Sequence, residues 1–250
     1  MLNKTLPFFF ALLLAFNEAS AADTTKIDEL SFQSSLASGA KQYVKAKELA
    51  QRALTLAEHD PDFPQLRLAH ILSQLAMAHQ HLNQWAGAQK YARRVIDIAM
   101  VSPSADVKFK AFSLTQLAEI LTLAGDPAQA ETSAAQAVEL VEREFGVDTP
   151  ELIGPLGEWG AALLAQNKTE QASQVLERAI KISRSASNTI GTDYQNLFTY
   201  CALLYRKTGQ KEKAVEMENK ARSTVTTITV KTNVRREVAK PADAINESKR

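Results

Sequence analysis

Residues 111–141, AFSLTQLAEILTLAGDPAQAETSAAQAVELV, read as a helix, a tight turn and a second helix. Leu114, Leu117, Ala118 and Leu121 fall at i, i+3, i+4 and i+7, so they share one face of the first helix. Gly125-Asp126-Pro127 ends it. Gly125 suits a left-handed residue after a helix end, Asp126 an N-cap and Pro127 the first helical turn, and Gln129 sits three residues after the cap. The second helix carries Ala130, Ala134, Ala137 and Val141 on one face. Two amphipathic helices with small residues at their crossing pack closely, but a single hairpin buries too little apolar surface to stand alone. It must stack on copies of itself.

The chain carries those copies. Ala46, Ala88, Ala130, Ala172 and Ala214 are equally spaced at 42 residues. Seven positions later come Ala53, Val95, Ala137, Ala179 and Ala221, and next to them Leu54, Ile96, Val138, Ile180 and Arg222. In the preceding helix a large-small pair recurs as Leu75-Ala76, Leu117-Ala118, Trp159-Gly160 and Cys201-Ala202. The turn site reads Asn83, Gly125, Asn167 and Gly209, residue types that tolerate positive φ. The expected fold class is all-α: an α-solenoid of stacked antiparallel helix hairpins, forming one elongated body.

These residues resemble the tetratricopeptide repeat: large-small in the first helix, Gly or Asn at the turn, then alanines seven apart in the second. The 42-residue period, and the segment Phe145-Gly146-Val147-Asp148-Thr149-Pro150 before the next repeat, are similar to the kinesin-light-chain subtype. The resemblance spans roughly residues 43–223 and implies a superhelix with a binding role. That architecture serves many unrelated partners, so it names none.

Around this core the sequence divides further. Residues 1–22 have the parts of a secretory signal: Lys4, the apolar run Leu6–Phe16 and the small-residue site Ala19-Ser20-Ala21. Eleven apolar residues are short for a membrane span, and no cysteine follows to take a lipid, so the expectation is an exported chain, in a bacterial periplasm, without stable membrane insertion after cleavage. Residues 23–42 occupy the first-helix slot of the earliest repeat, but Gln33 and Ser34 replace the large-small pair, which points to a degenerate N-terminal capping helix. Hairpins are expected over 65–82 with 85–100, 150–166 with 169–185 (Thr149 as cap), and 193–207 with 211–223. Thr224–Val230, TVTTITV, favours extended structure, and 224–250 reads as a disordered basic tail.

The 29 basic and 28 acidic residues give a net charge of +1, and losing Lys4 and Glu18 with the signal keeps that balance, so an overall electrostatic pull on nucleic acid is not indicated. No phosphate loop, HExxH, GxSxG or CxxC motif occurs, and no cofactor is expected. Cys201, the single cysteine, occupies the large-residue slot of its repeat and reads as a buried small hydrophobe. His79 and His81 lie about 200° apart around a helix and cannot share a metal; Met77 and His81 could, without a third ligand. An exported enzyme or metal carrier built on such isolated Cys and His residues is the alternative function. Gly154, Gly157 and Gly160 put a bare stripe on one helix, calling for a close neighbour, either a packed helix or a ligand.

What remains is a surface. By the resemblance, the first helix of each pair lines the concave face, which implies a protein-binding groove of His70, Ser73, Gln74, Met77, Gln80 and His81, then Phe112, Thr115, Gln116, Glu119 and Thr122, then Asn196, Thr199, Tyr200, Leu203 and Arg206. Helical geometry places 70, 77 and 81 within about 40° of one another independently. Some members of the family grip a C-terminal carboxylate with Lys, Asn and Arg; here Ser73, Met77 and Gln116 stand at comparable sites, so that specificity does not carry over. The expected partner is a protein or peptide, held by a scaffold or assembly factor of the cell envelope. A polar face that merely meets solvent is the competing reading.

Overall fold

The computed structural model describes residues 24–185 and 191–238, with side chains to 224. The signal-like residues 1–22, and the part of the basic tail from 239 onward, lie outside the described residues. Ten α-helices are described: α1 (24–39), α2 (Tyr43–His59), α3 (Gln65–His81), α4 (Trp85–Val101), α5 (Val107–Leu123), α6 (Pro127–Phe145), α7 (Ile153–Ala165), α8 (Thr169–Ser185), α9 (Thr192–Lys207) and α10 (Lys211–Val238). The chain divides into two compact units, Met1–Gly125 and Asp126–Arg250. The sequence reading has one continuous body.

In the first unit α3 packs on α2 and α4, and α4 on α5; in the second, α7 packs on α6, α8 and α9, and α10 on α9. The five register alanines face these contacts. Ala88, Ala130 and Ala172 are 0% exposed, Ala46 and Ala214 1%. The turn register holds as well, because Asn83, Gly125, Asn167 and Gly209 all have positive φ, and Lys41, 42 residues before Asn83, joins them at 59°. Asp126 caps α6 by accepting from the Gln129 amide, with Pro127 in the first turn. Asp106 does the same for α5 through Phe109.

One departure from the repeat is explained and two local expectations are corrected. Ser34 occupies the small slot of its repeat and is buried at 1%; its hydroxyl donates to the Ala46 carbonyl at 2.8 Å, so a polar residue fits where alanine recurs. The helix expected to start at Pro150 begins instead with a 3-10 turn, Pro150–Leu152, and the Thr149 hydroxyl donates to Glu151 rather than capping backbone. α10 continues through Thr224–Val230 to Val238, where extended structure and a disordered tail are expected. Each β-branched residue costs a helix only about half a kcal/mol, and adding residues to an existing helix avoids the cost of a new nucleus.

The glycine stripe on α7 meets helices. A Cβ on Gly160 would lie 2.4 Å from Leu176 Cδ2, one on Gly154 3.2 Å from the Asp193 carboxyl, and one on Gly157 3.9 Å from Leu197 Cα. Packing of α8 and α9 against α7 accounts for the bare surface.

Candidate functional site

The sixteen candidate groove residues fall in two groups, one in each compact unit. In the first unit they lie on α3 and α5, and several are tied to α1. The Gln74 amide donates to Ser31 Oγ at 3.0 Å and to Ser35 Oγ at 2.9 Å, and Ser38 Oγ donates to Met77 Sδ at 3.7 Å. The His81 ring stacks on Tyr43 with centroids 4.0 Å apart. These side chains line a hollow of about 380 Å³, bounded by Ser35, Ser38, Gly39, Tyr43, Gln74, Met77 and His81. Further along, the His70 ring tilts against Phe109 at 5.1 Å, and the Gln80 amide donates to Glu119 at 2.8 Å. Thr115 turns its hydroxyl back to the Ala111 carbonyl, and Phe112 stays 53% exposed.

Three polar atoms in this group have no hydrogen-bond partner: Ser73 Oγ, Gln116 Oε1 and Thr122 Oγ1. Gln116 is buried, which makes its bare acceptor the costliest of the three, since a desolvated group without a partner loses about 1–3 kcal/mol. Arg67 of α3 pairs with Asp28 of α1, and Glu119 accepts from Gln80. Burial holds the His81 imidazole below its ordinary pKa, so at neutral pH it is an uncharged ring.

In the second unit the candidates lie on α9 and converge on a residue the sequence reading passed over. Glu158 of α7 is 4% exposed; its carboxylate accepts from the Tyr200 hydroxyl at 2.9 and 3.1 Å and from the Asn196 amide at 3.4 Å. A signal for it existed: Gln74, Gln116, Glu158 and Tyr200 are spaced by the same 42 residues, so the register assigns Glu158 to the groove-lining position of its repeat. Thr199 back-bonds to the Gln195 carbonyl, Leu203 is exposed, and Arg206 pairs with Glu218 of α10 at 2.6 Å.

The other candidates resolve into packing. Cys201 is 1% exposed, and burial, with Glu177 nearby, pushes its thiol pKa up to about 12, so the reactive thiolate is suppressed at neutral pH. Met77 and His81 make the contacts given above, and among the described residues no three of His, Cys, Asp and Glu gather as a metal set. His79 lies against Tyr91, with centroids 5.3 Å apart, and its Nδ1 is buried against Gly87 without a partner. Burial and the nearby Lys47 lower its pKa. Lys47, Gln51, Arg52, His79 and Tyr91 line a second hollow of about 600 Å³ in the first unit. No helix among the described residues is long and apolar enough to cross a membrane.

Comparison with known proteins matches this geometry to a family. Family profiles described as tetratricopeptide repeat match residues 109–185 and residues 68–99. No curated protein matches the sequence. Among solved structures, BtubC (BKLC) from P. vanneervenii superposes with a TM-score of 0.64 at 18% identity, covering 88% of this chain and 87% of that one. A variant of the Podosopora anserina putative kinesin light chain, with nearly identical TPR-like repeats, gives 0.62 at 16% identity, covering 82% and 96%. The Rap conjugation gene regulator of plasmid pLS20, in complex with the Phr* peptide, gives 0.67 at 14% identity, covering 93% of this chain and 64% of that one.

Proposed function

The chain belongs to the tetratricopeptide-repeat family, a family of protein-interaction modules, and we propose that it binds an extended peptide or a partner helix along the groove-lining faces of α3 and α5. The observation that carries this reading is the mixed, accessible surface of α3 and α5: the 53% exposed Phe112 ring, the exposed His70, and the hollow that Gln74, Met77 and His81 line with α1. A bound chain can lay an apolar side chain on Phe112 and meet the accessible polar groups of the hollow. Preorganisation adds to affinity, since helices already packed lose little entropy on binding. The Rap regulator, of similar fold, is seen with a peptide, which supports the same use here.

The module acts outside the cytoplasm, as a scaffold or assembly factor of the bacterial cell envelope. The signal-like residues 1–22 support this. Two measurements test the reading. Mass spectrometry of the chain recovered from a periplasmic fraction is expected to show an N-terminus near residue 23; a chain retained whole in the cytosol refutes export. Capture from envelope extract is compared between the natural chain and a His70→Ala/Met77→Ala/Phe112→Ala variant with unchanged helical content. Loss of specific partners supports the groove, and equal recovery of every partner rejects it.

A further inference from the structure

One junction departs from the repeat at several positions together. His79 of α3 stands in the register of Leu121 and Leu163, which are 0% and 2% exposed. Its ring lies so close to Gly87 of α4 that a Cβ there would overlap Nδ1, so the glycine makes room for the imidazole. Tyr91 stands in the register of Ser133, and its hydroxyl donates to Gln51 Oε1 of α2 at 3.0 Å. Two repeats further on, the positions of Lys47 and Gln84 hold Glu131 and Lys168, which form an ion pair at 2.7 Å. Here the partner is neutral: the Lys47 ammonium donates to Gln84 Oε1 at 3.1 Å and keeps its charge uncompensated. These departures meet at the hollow of about 600 Å³ on α2, α3 and α4, a volume within the range of small-molecule sites.

Charge is unevenly placed around this hollow. Lys47 and Gln51 lie about 40° apart on α2, and Lys90 of α4 sets its ammonium 5.5 Å from the Tyr91 ring centroid. Glu48 and Arg52 share the other edge, about 100° and 140° round α2 from Lys47, where their charges offset each other. Further along the same two helices Arg94 is paired with Glu58 at 2.7 Å. That leaves the Lys47 and Lys90 ammonium groups without an ion pair among the described residues, on a chain whose net charge is only +1. Burial first, then Lys47 and Lys90, lower the His79 pKa, so both ammonium groups act on the same ring. Tyr91 occupies the Gln51 amide oxygen, which leaves the amide nitrogen to donate. We propose that the hollow binds a small organic anion, whose acidic group meets Lys47, Lys90 and the Gln51 amide and whose apolar body lies on the Thr55 methyl and the hydrocarbon stems of Lys47 and Arg52. The groups left on the Lys47 edge are donors, two of them charged, which selects a carboxylate, sulfonate or phosphate over a cation. The site shares no residue with the peptide groove of α3 and α5.

Titration of the full chain with the fluorescent anion anilinonaphthalene sulfonate tests this, and saturable binding is expected. Lys47→Gln/Lys90→Gln is expected to weaken it by more than about tenfold without changing the circular dichroism spectrum, since neither side chain belongs to the core. Thr55→Trp, which puts an indole into the hollow from an exposed position, is expected to abolish it. The uncharged phenylnaphthylamine, with the same rings and no sulfonate, is expected to bind the natural chain more weakly by about tenfold or more. The His70→Ala/Met77→Ala/Phe112→Ala variant is expected to bind the anion as the natural chain does, which keeps this test separate from that of the groove. Absence of saturable binding overturns the proposal. So does a Lys47→Gln/Lys90→Gln or Thr55→Trp protein that binds unchanged, an uncharged dye held as tightly as the anion, or binding lost only in the groove variant.

Discussion

Alanine substitutions along the α7 glycine stripe should change stability with a sign that depends on which glycine is replaced. In an exposed helix each Gly→Ala change would gain about 1 kcal/mol from propensity alone. At Gly160 the new methyl would lie 2.4 Å from Leu176 Cδ2, 2.5 Å from Cγ and 3.1 Å from Cδ1. Leu176 is 0% exposed, and overlap with Cγ means the whole side chain must move rather than just its tip. Overpacking of this kind costs about 1–3 kcal/mol, and the severity of the overlap puts it at the upper end, so Gly160→Ala should lose about 1–2 kcal/mol net. At Gly157 the nearest atoms lie at 3.9 Å, an ordinary contact, so Gly157→Ala should gain up to about 1 kcal/mol. Gly154→Ala meets only the movable Asp193 carboxyl at 3.2 Å and should be nearly neutral. Urea unfolding followed by circular dichroism reads the order from the midpoints at unchanged slope. Shrinking the neighbour provides a further check, because Gly160→Ala should cost less in a Leu176→Ala background than alone. A Gly160→Ala protein at least as stable as the natural chain, or a Gly157→Ala protein less stable by more than about 1 kcal/mol, refutes the packing argument.

Three further outcomes are expected. Lys41 holds a positive φ of 59° at the register position filled by Gly125 and Gly209, so Lys41→Gly should raise the unfolding free energy by about 0.5–1 kcal/mol once the backbone strain is removed, read as a higher urea midpoint. Tyr200→Phe removes a hydroxyl donor from the buried Glu158 carboxylate and should cost about 1–3 kcal/mol at neutral pH, visible in the same denaturation assay. His79 and His81 have folded pKa values below the ordinary imidazole value, so below about 6.5 the unfolded chain binds more protons; stability should be level above that pH and fall as the pH drops through it. His79→Gln and His81→Gln should flatten that loss in a pH series of melting curves.

The candidate surface was less legible than the fold, and Glu158 shows why. The same 42-residue step that located the alanines points to it, but an isolated glutamate on a helix otherwise rich in glycine and leucine reads as a solvated charge. Its burial depends on Tyr200 and Asn196 reaching across from α9, a contact 38–42 residues away in the chain. Ser34 reads as a defect for the same reason, until the Ala46 carbonyl is seen to accept its hydroxyl. Residue-by-residue propensity does not show the α10 extension, because it leaves out the helix already running into Thr224–Val230 from Lys211.

By itself the sequence determined the helices, their turns, the repeat interval and the faces to be buried, because all of these rest on interactions within a few residues, repeated until chance is excluded. Tertiary structure decided which polar groups find partners, which glycine is crowded, and which apolar positions, such as Phe32 and Leu36, are left without cover. Those outcomes depend on atoms that are distant in the chain and meet only once the helices are packed, and no local pattern records them.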